Sequence, residues 1–227
     1  MSEAAVVLDG LVRRYGDRAA LDGVSLTLER GATLAVFGAN GAGKTTLLRI
    51  LATLLRPHAG EARVLGGSLP REGWRVRGRV GLLAHEPLLY RDLSPRENLG
   101  FHARLHDVDE ARVEGLIEAV GLRLRADEPL RTFSRGMAQR VAICRAVLHE
   151  PELLLLDEPY ANLDPAAVVG VGPLIGRASG ATRVVISHDI ATGLGEADVV
   201  LGLRAGRQVM LAPAADVAPG DVRALYG

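Results

Sequence analysis

The sequence has a single cysteine, no long apolar run and no excess of either charge. Cys144 alone can form neither an internal disulfide nor a thiolate metal cage. The 27 basic residues balance 27 acidic ones, so the net charge gives no general attraction to nucleic acid, and none is expected as a partner. No apolar stretch reaches the roughly 18 residues of a membrane-spanning helix, and Glu3 and Asp9 stand where a signal peptide carries cations. These absences predict a globular cytoplasmic protein that reaches a membrane only through a partner.

Lysine is also nearly absent. All but one of the 27 basic residues are arginine, and Lys44 is the exception. A base composition that favours arginine codons explains the other positions. A lysine retained against that bias indicates a site where a compact ammonium works and a planar guanidinium does not.

The first part of the chain predicts an antiparallel β lobe at the N-terminus. Residues 4–35 read as short strands, broken by turns at Gly10, Gly16 and Gly31. Apolar and polar side chains alternate over 24–28, which is typical of a half-exposed strand. We therefore expect a sheet with one face on the core and the other in solvent.

Four apolar runs predict a second, parallel sheet. They cover residues 33–37, 80–84, 153–156 and 183–187, and each is short and continuous, as in strands buried on both faces. Leucines at helical spacing over 47–55 follow the first run, and helices between later runs imply parallel strands. The first run therefore begins a unit of strand, glycine loop and helix.

From about residue 86 to 148 the pattern is helical, and its last helix covers about 135–148. This segment reads as a helical lobe inserted in the α/β core. The C-terminal part predicts a hairpin around Ala205-Gly206 and a short last helix. The chain, 1–227, is predicted to form a single domain.

The strand over 33–37 leads into a motif of the form G-x-x-x-x-G-K-[ST]. Between a buried strand and a helix, this motif is the phosphate-binding loop, or P-loop, of nucleotide hydrolases. Its backbone N–H groups point inward, the helix adds its positive end, and Lys44 reaches the β and γ oxygens of ATP. Thr45 would hold Mg²⁺. The predicted nucleotide contacts are Gly38, Ala39, Asn40, Gly41, Ala42, Gly43, Lys44, Thr45 and Thr46.

Two carboxylates follow the run over 153–156. Ligands of open α/β sheets bind at the C-terminal ends of the strands, which is where Asp157 and Glu158 stand. Asp157 is predicted to face the Mg²⁺ shell. Because side chains alternate along a strand, Glu158 points differently and is assigned to position or deprotonate the water that attacks the γ-phosphate. Together the motifs predict an α/β P-loop NTPase core with a mostly parallel sheet.

Residues 133–140 stand between those two motifs and read FSRGMAQR. This segment resembles the signature motif of ABC-type ATPases. Further matches follow in that family's order, with a D-loop-like segment over 161–164 and His188 as the switch histidine at the end of a strand. Tyr15 resembles the aromatic residue that stacks on adenine. The resemblance covers residues 4–212, which is most of the chain.

This resemblance implies a dimer that holds two ATP molecules between the P-loop of one subunit and the signature motif of the other. Ser134 and Gly136, at the start of a helix, would face the γ-phosphate across that interface. His188 would bind the γ-phosphate and sense its presence, and Asp164 would connect the two sites. Hydrolysis then weakens the bridge and lets the subunits part.

Two positions depart from the family pattern. His85 stands where a glutamine usually contacts Mg²⁺ and the attacking water, and an imidazole is a less natural Mg²⁺ ligand than an amide oxygen. Glu86 is an alternative ligand. Arg135 replaces a glycine of the signature motif, and it either adds a cation near the γ-phosphate or points away into a salt bridge.

The resemblance implies an ATP-binding and hydrolysing subunit of an ABC transporter that forms a homodimer, peripheral on the inner face of the cell membrane. A separate membrane-spanning subunit would dock on the helical lobe near residues 85–105. The segment over 133–137 and the histidine before Glu86 are most similar to the ATP-binding subunit of the haem exporter of cytochrome c maturation. The alternative is a soluble ABC ATPase that drives iron–sulfur cluster assembly, and the partner distinguishes the two.

Overall fold

The structure is a computed structural model that describes residues 4–226, so Glu3 lies outside the described residues. This part of the chain forms ten strands and eight α-helices. The strands are β1 (Ala4–Tyr15), β2 (Arg18–Glu29), β3 (Thr33–Phe37), β4 (Ala59–Val64), β5 (Gly67–Leu69), β6 (Val80–Leu83), β7 (Leu153–Asp157), β8 (Thr182–Ile186), β9 (Val199–Arg204) and β10 (Arg207–Pro213). The helices are α1 (Lys44–Leu51), α2 (Gly73–Val76), α3 (Pro95–Leu105), α4 (Glu110–Ala119), α5 (Arg135–Val147), α6 (Pro165–Ile175), α7 (Ile190–Glu196) and α8 (Pro219–Arg223).

Strands β2, β1, β4 and β5 form an antiparallel sheet in that order, so the predicted N-terminal β lobe is present. The prediction of several short strands is wrong, because β1 and β2 are single strands of 12 residues each, joined by a turn at Gly16. Gly10 forms a bulge within β1 and not a turn. It adopts φ 55°, and its N–H donates to Oγ of Ser25. Pairing resumes beyond the bulge, so the strand continues.

The second sheet has six strands in the order β10-β9-β3-β8-β7-β6. Neighbours from β9 to β6 pair in parallel, and the hairpin of β9 and β10 adds an antiparallel edge. The predicted mostly parallel sheet is therefore confirmed. Strands β3, β7 and β8 are buried along their whole length, as expected of strands covered on both faces. Their C-terminal ends meet at one edge of the sheet, where the site lies.

Helix α1 is shorter than the leucines over 47–55 predict. It ends at Leu51, and the N–H of Ala52 closes its last turn. Thr53 then adopts φ 62°, which turns the chain out of the helix. Leu54 is consequently 60% exposed, although its spacing matches the buried face of the helix.

Helices α3, α4 and α5 form the predicted helical lobe and share a core with the parallel sheet. Leu99 of α3, Ile117 of α4 and Ile143 of α5 are buried in one cluster with Leu154 of β7. Cys144 is fully buried in this cluster, as predicted for a small apolar residue, and burial raises the pKa of its thiol to about 12. Among residues 4–226, every helix falls short of the length and apolarity needed to cross a membrane.

Candidate functional site

The loop between β3 and α1 requires glycine at both ends. Gly38 has φ 147°, and a Cβ there would lie 2.2 Å from the carbonyl oxygen of Leu203. Gly43, the N-cap of α1, has φ 110°, and its Cβ would lie 2.2 Å from the carbonyl oxygen of Ala20. Any larger residue would clash with backbone at either position. The loop is therefore packed closely at the N-terminus of α1, the end of a helix that favours anions.

Lys44 is the buried cation of this loop. Its Nζ donates to the carbonyl oxygens of Gly38 at 2.5 Å and Ala39 at 3.1 Å. Burial lowers the pKa of Lys44, and the nearby carboxylates of Asp157 and Glu158 oppose that shift. A single ammonium can donate to two carbonyls of so tight a loop, whereas a planar guanidinium is too broad.

Thr45 and Asp157 lie together beside the loop. The Thr45 hydroxyl donates to Oδ2 of Asp157 at 3.1 Å. Asp157 is the last residue of β7, and burial raises the pKa of its carboxyl, against the opposing effect of the Thr45 hydrogen bond. Mg²⁺ prefers oxygen ligands and is usually held by one or two carboxylates together with substrate phosphates. A hydroxyl and a carboxylate in contact next to a phosphate-binding loop fit that ion.

Glu158 follows the end of β7 and turns toward β8. Its backbone adopts φ 54°, and its N–H donates to the carbonyl oxygen of Ile186 at 3.0 Å. Its carboxylate lies 2.8 Å from Nε2 of His188. The side chain departs from the strand because of this left-handed backbone conformation, which differs from the simple alternation expected from the sequence. The two residues predicted to act on the γ-phosphate are thus in direct contact.

A cavity of about 710 Å³ brings most of the predicted site together. The predicted residues in its lining are Tyr15, Asn40, Gly41, Ala42, Gly43, Lys44, Thr45, Thr46, His85, Asp157, Glu158 and His188. Gly38 and Ala39 take part through the carbonyl oxygens that hold Lys44. Residues from the antiparallel sheet, the P-loop and the ends of β7 and β8 therefore converge on one space.

One side chain from β1 and one from β2 line this cavity at the side of the antiparallel sheet. Tyr15 is 47% exposed, and the Arg13 guanidinium lies 4.9 Å from its ring centroid. An exposed ring beside a phosphate-binding loop suits stacking on a base. Arg18 lines the same cavity and donates to the carbonyl oxygen of Gly41 at 3.3 Å. Sequence reasoning missed Arg18, because one arginine among 26 carries no local signal.

The signature-like segment lies apart from the P-loop within one chain. Ser134 and Arg135 line a second cavity, of about 920 Å³, which shares His85, Asp157 and Glu158 with the first. Neither Ser134 nor Arg135 lines the P-loop cavity. The structure therefore brings the predicted residues together in two groups, with Glu158 on the border between them.

Ser134 has a structural contact, and so do two further predicted residues, Gly136 and Asp164, which line neither cavity. Ser134 is the N-cap of α5, and its Oγ accepts the N–H of Met137 at 3.2 Å. A Cβ on Gly136 would lie 2.5 Å from the carbonyl oxygen of Asn162, so a glycine lets α5 approach the D-loop-like segment. Asp164 is the N-cap of α6 and accepts an N–H of its first turn at 2.8 Å. These caps fix where both helices begin.

The two departures from the family pattern are both accessible. His85 follows β6 and lines both cavities, and Glu86 lines the second. Arg135 is exposed and forms no ion pair with any residue of the described range 4–226. The salt-bridge alternative for Arg135 is therefore not found within this part of the chain.

Gln139 is a further residue that sequence reasoning missed. It is buried on α5, and its Nε2 donates to the carbonyl oxygen of Pro159 at 3.3 Å. The bond joins the helix of the signature-like segment to the chain just after Glu158. No local pattern marks such a contact between distant segments.

Comparison with known proteins decides the family. The sequence model described as ABC transporter matches residues 21–161, which is more than half of the chain. The chain belongs to the ABC transporter family. It is an ATP-binding, ATP-hydrolysing domain of that family, and the predicted fold class is confirmed.

Relatives within the ABC transporter family differ in length. The daunorubicin resistance ATP-binding protein DrrA3 of Streptomyces coeruleorubidus is 43% identical over 73% of this chain and 54% of its own length. The cytochrome c biogenesis ATP-binding export protein CcmA of Methylococcus capsulatus is 40% identical over 83% of this chain and 93% of its own. A solved ATP binding subunit of an ABC transporter has a TM-score of 0.86 at 28% identity, over 98% of this chain and 95% of that one. The chain thus spans about half of DrrA3 and most of CcmA.

Proposed function

We propose that this chain is the ATP-binding and hydrolysing subunit of an ABC transporter, which powers transport through a separate membrane-spanning subunit. The observation that carries the proposal is the separation of the two motifs. Lys44 lines one cavity and Ser134 another, and we infer that the signature motif of a second copy of the chain completes the P-loop site. ATP would then hold two subunits together, and hydrolysis would release them.

Five residues of the P-loop cavity have roles in this proposal. Lys44 neutralises charge on the β and γ oxygens of ATP, and the loop's backbone cradles the phosphates. Thr45 and Asp157 would hold Mg²⁺, which supplies positive charge to the phosphate oxygens when bound. Glu158 orients or deprotonates the attacking water, and His188, in contact with Glu158, donates to the γ-phosphate.

The second subunit would supply the signature residues. The Oγ of Ser134 accepts a backbone N–H, which leaves its own hydrogen available to a phosphate oxygen. Gly136 would offer its backbone N–H at the start of α5, and Arg135 would add an exposed cation. Asp164, at the start of α6, would connect the two sites of a homodimer.

The membrane-spanning subunit would dock on the helical lobe. Leu88, Tyr90, Phe101 and Leu105 are large apolar side chains that are each exposed there. The rings of Tyr90 and Phe101 pack edge to face with centroids 5.9 Å apart. Exposed apolar groups gathered on one surface are typical of an interaction site. Docking there would place the chain on the inner face of the cell membrane.

We propose haem as the transported substrate, exported for cytochrome c maturation. CcmA is named as a cytochrome c biogenesis export protein, and this chain covers 93% of its length. DrrA3, which is similar to this chain at a comparable identity, is named for daunorubicin resistance. The relatives therefore also support other substrates. The membrane partner, which carries the substrate path, decides between such transport functions.

A pull-down tests the proposed function. The Glu158→Gln protein, with ATP and Mg²⁺, is used to capture partners from detergent-solubilised native cells, and Lys44→Ala is the control that cannot bind nucleotide productively. We expect a self-dimer and a multi-span membrane protein with the first variant. Recovery of soluble proteins only would contradict the transporter assignment and favour the cluster-assembly alternative.

A further inference from the structure

Strand β8 carries a charged residue inside the protein. Arg183 lies in a strand that is buried along its whole length, and its side chain is 1% exposed. Its guanidinium donates to Oγ1 of Thr33 on the neighbouring strand at 2.9 Å and to the carbonyl oxygen of Ile175 at 3.1 Å. An ion pair of 2.6 Å joins it to Oε2 of Glu196. None of the functional roles described above uses these residues.

Glu196 shares its carboxylate between two partners. While Oε2 faces Arg183, Oε1 accepts a hydrogen bond of 3.1 Å from the hydroxyl of Tyr160. Burial raises the pKa of Tyr160 to about 12, so the hydroxyl keeps its proton at neutral pH. Arg183, Glu196 and Tyr160 thus form a continuous set of bonds, which we call the Glu196 bridge.

The Glu196 bridge connects the two segments that carry the proposed catalytic residues. Tyr160 follows Glu158 closely in the chain, and Glu196 ends α7, which begins two residues after His188. The side chains of Glu158 and His188 already meet at 2.8 Å. Tyr160, Glu196 and Arg183 lie outside the lining of the P-loop cavity, so the bridge is a second, remote connection between the same segments.

Stability alone does not account for this arrangement. The Arg183 guanidinium is removed from water almost completely, whereas the Glu196 carboxylate keeps 30% exposure. Burying such a charge costs free energy that the attraction of its partner offsets only in part, and an apolar residue of similar volume often serves equally well. The next residues of β8, Val184 and Val185, are buried and apolar, as a strand inside a sheet requires. The bonds of the bridge are directional, and they fix one relative position of the groups that they join.

We propose that the Glu196 bridge is a positioning device, which holds the segment of Glu158 and Tyr160 against α7 so that Glu158 and His188 keep their contact during hydrolysis. The inference rests on the catalytic roles proposed above for those two residues. Because the bridge does not touch the nucleotide cavity, its loss should slow hydrolysis and leave ATP binding intact.

The variant Tyr160→Phe tests the bridge with the smallest change. It removes one hydroxyl and keeps the aromatic ring and the pair of Arg183 and Glu196. We expect kcat for ATP to fall about tenfold, with KM within about twofold of the wild type. Ser25→Ala is the matched control, since it also removes one hydroxyl from a hydrogen bond, of 2.8 Å, in the remote antiparallel sheet.

A second variant and a second readout separate positioning from folding. Glu196→Gln keeps the shape of the side chain but replaces one of the two oxygens, which face Arg183 and Tyr160 separately, with an NH₂ donor. One of the two bonds is therefore lost from its present geometry, and kcat should fall similarly. The imidazole ¹⁵N signal of His188, assigned with His188→Gln, should shift in Tyr160→Phe and Glu196→Gln and stay unchanged in Ser25→Ala.

A wild-type kcat in both bridge variants would overturn the inference, and so would an unmoved His188 signal. Either result counts even if the variants melt at a lower temperature, because a loss of stability alone does not show positioning. Should Tyr160→Phe not fold, Glu196→Gln alone decides. The variant Glu158→Gln distinguishes this failure from failure of the proposed function. If Glu158→Gln hydrolyses ATP at the wild-type rate, the catalytic assignment itself is wrong. If it is inactive while the bridge variants match the wild type, only the bridge is wrong.

Discussion

Lys44 is enclosed by the loop that is proposed to bind the phosphates of ATP. Its ammonium lies between the carbonyl oxygens of Gly38 and Ala39, at 2.5 and 3.1 Å. The substitution Lys44→Arg keeps the charge but needs room that this loop lacks, so we expect ATP affinity to fall by about tenfold or more. Titration with a fluorescent ATP analogue measures the effect. Unchanged affinity would show that charge alone matters at this position.

His85 is the departure whose replacement is most informative. It lines the cavity beside Asp157, where an amide oxygen would be the better partner for Mg²⁺ and water. The substitution His85→Gln is therefore expected to raise kcat for ATP about threefold. Hydrolysis is measured between about pH 6 and about pH 8. Rates equal to the wild type throughout that range would remove His85 from the site.

Single residues could be predicted where a contiguous motif marks them. Lys44 and Asp157 belong to short patterns whose flanking strands and helices are visible in the sequence. Arg18 and Gln139 reach backbone carbonyls far away along the chain, so no local pattern indicates them. The side chain of Glu158 points in a different direction from that of Asp157, as the sequence predicts, but the cause is its left-handed φ of 54° and not the alternation along a strand.

At the scale of elements, a histidine pair makes the helical lobe sensitive to acid. The His149 ring stacks on His106 with centroids 4.3 Å apart, and Nε2 of His149 is 3.2 Å from the carbonyl oxygen of Val80. Burial lowers the pKa of His149 and of His102 to about 4, and nearby Arg145 adds to both shifts. In the unfolded chain histidines titrate near pH 6.5.

The sign of the effect follows from proton uptake. Between about pH 6.5 and about pH 4 the unfolded chain binds more protons than the folded one, so the free energy of unfolding falls as the pH falls. The substitution His149→Gln removes one of these groups and should make that fall smaller. Urea unfolding at about pH 7 and about pH 5 measures the difference. An equal fall in variant and wild type would contradict this explanation.

Elements with strong periodicity could be predicted, and elements shaped by backbone conformation could not. The continuous apolar runs gave β3, β6, β7 and β8 within a residue or two. The length of β1 depends on a glycine bulge that reads as a turn, and α1 ends early at a left-handed Thr53. Helix α7 was missed because Gly193 and Gly195 weaken its helical pattern, although Gly193 permits close packing on Phe37.

At the scale of the whole molecule, the order of motifs could be read from the sequence, and the fold class that it implied is confirmed. The transported substrate could not be read in the same way. The residues proposed to contact nucleotide would serve any transporter of the family, and in this proposal specificity lies with the membrane partner. The exposed apolar residues on α3 therefore support a proposed docking position, and they carry no information on the substrate.

The central claim is that each ATP lies between the P-loop of one subunit and the signature motif of the other, and mixing two inactive variants tests it directly. Lys44→Ala disables the P-loop. Ser134→Asp repels the γ-phosphate but retains a good N-cap for α5. In a mixed dimer, one site combines the intact P-loop of the second chain with the intact signature motif of the first.

Each variant alone is expected to be inactive. An equal mixture should recover about a quarter of wild-type ATP hydrolysis, since half of the dimers are mixed and each has one working site. The rate should rise with protein concentration, because the site forms only when two chains associate. A mixture as inactive as its components would contradict the shared site and, with it, the proposed mechanism.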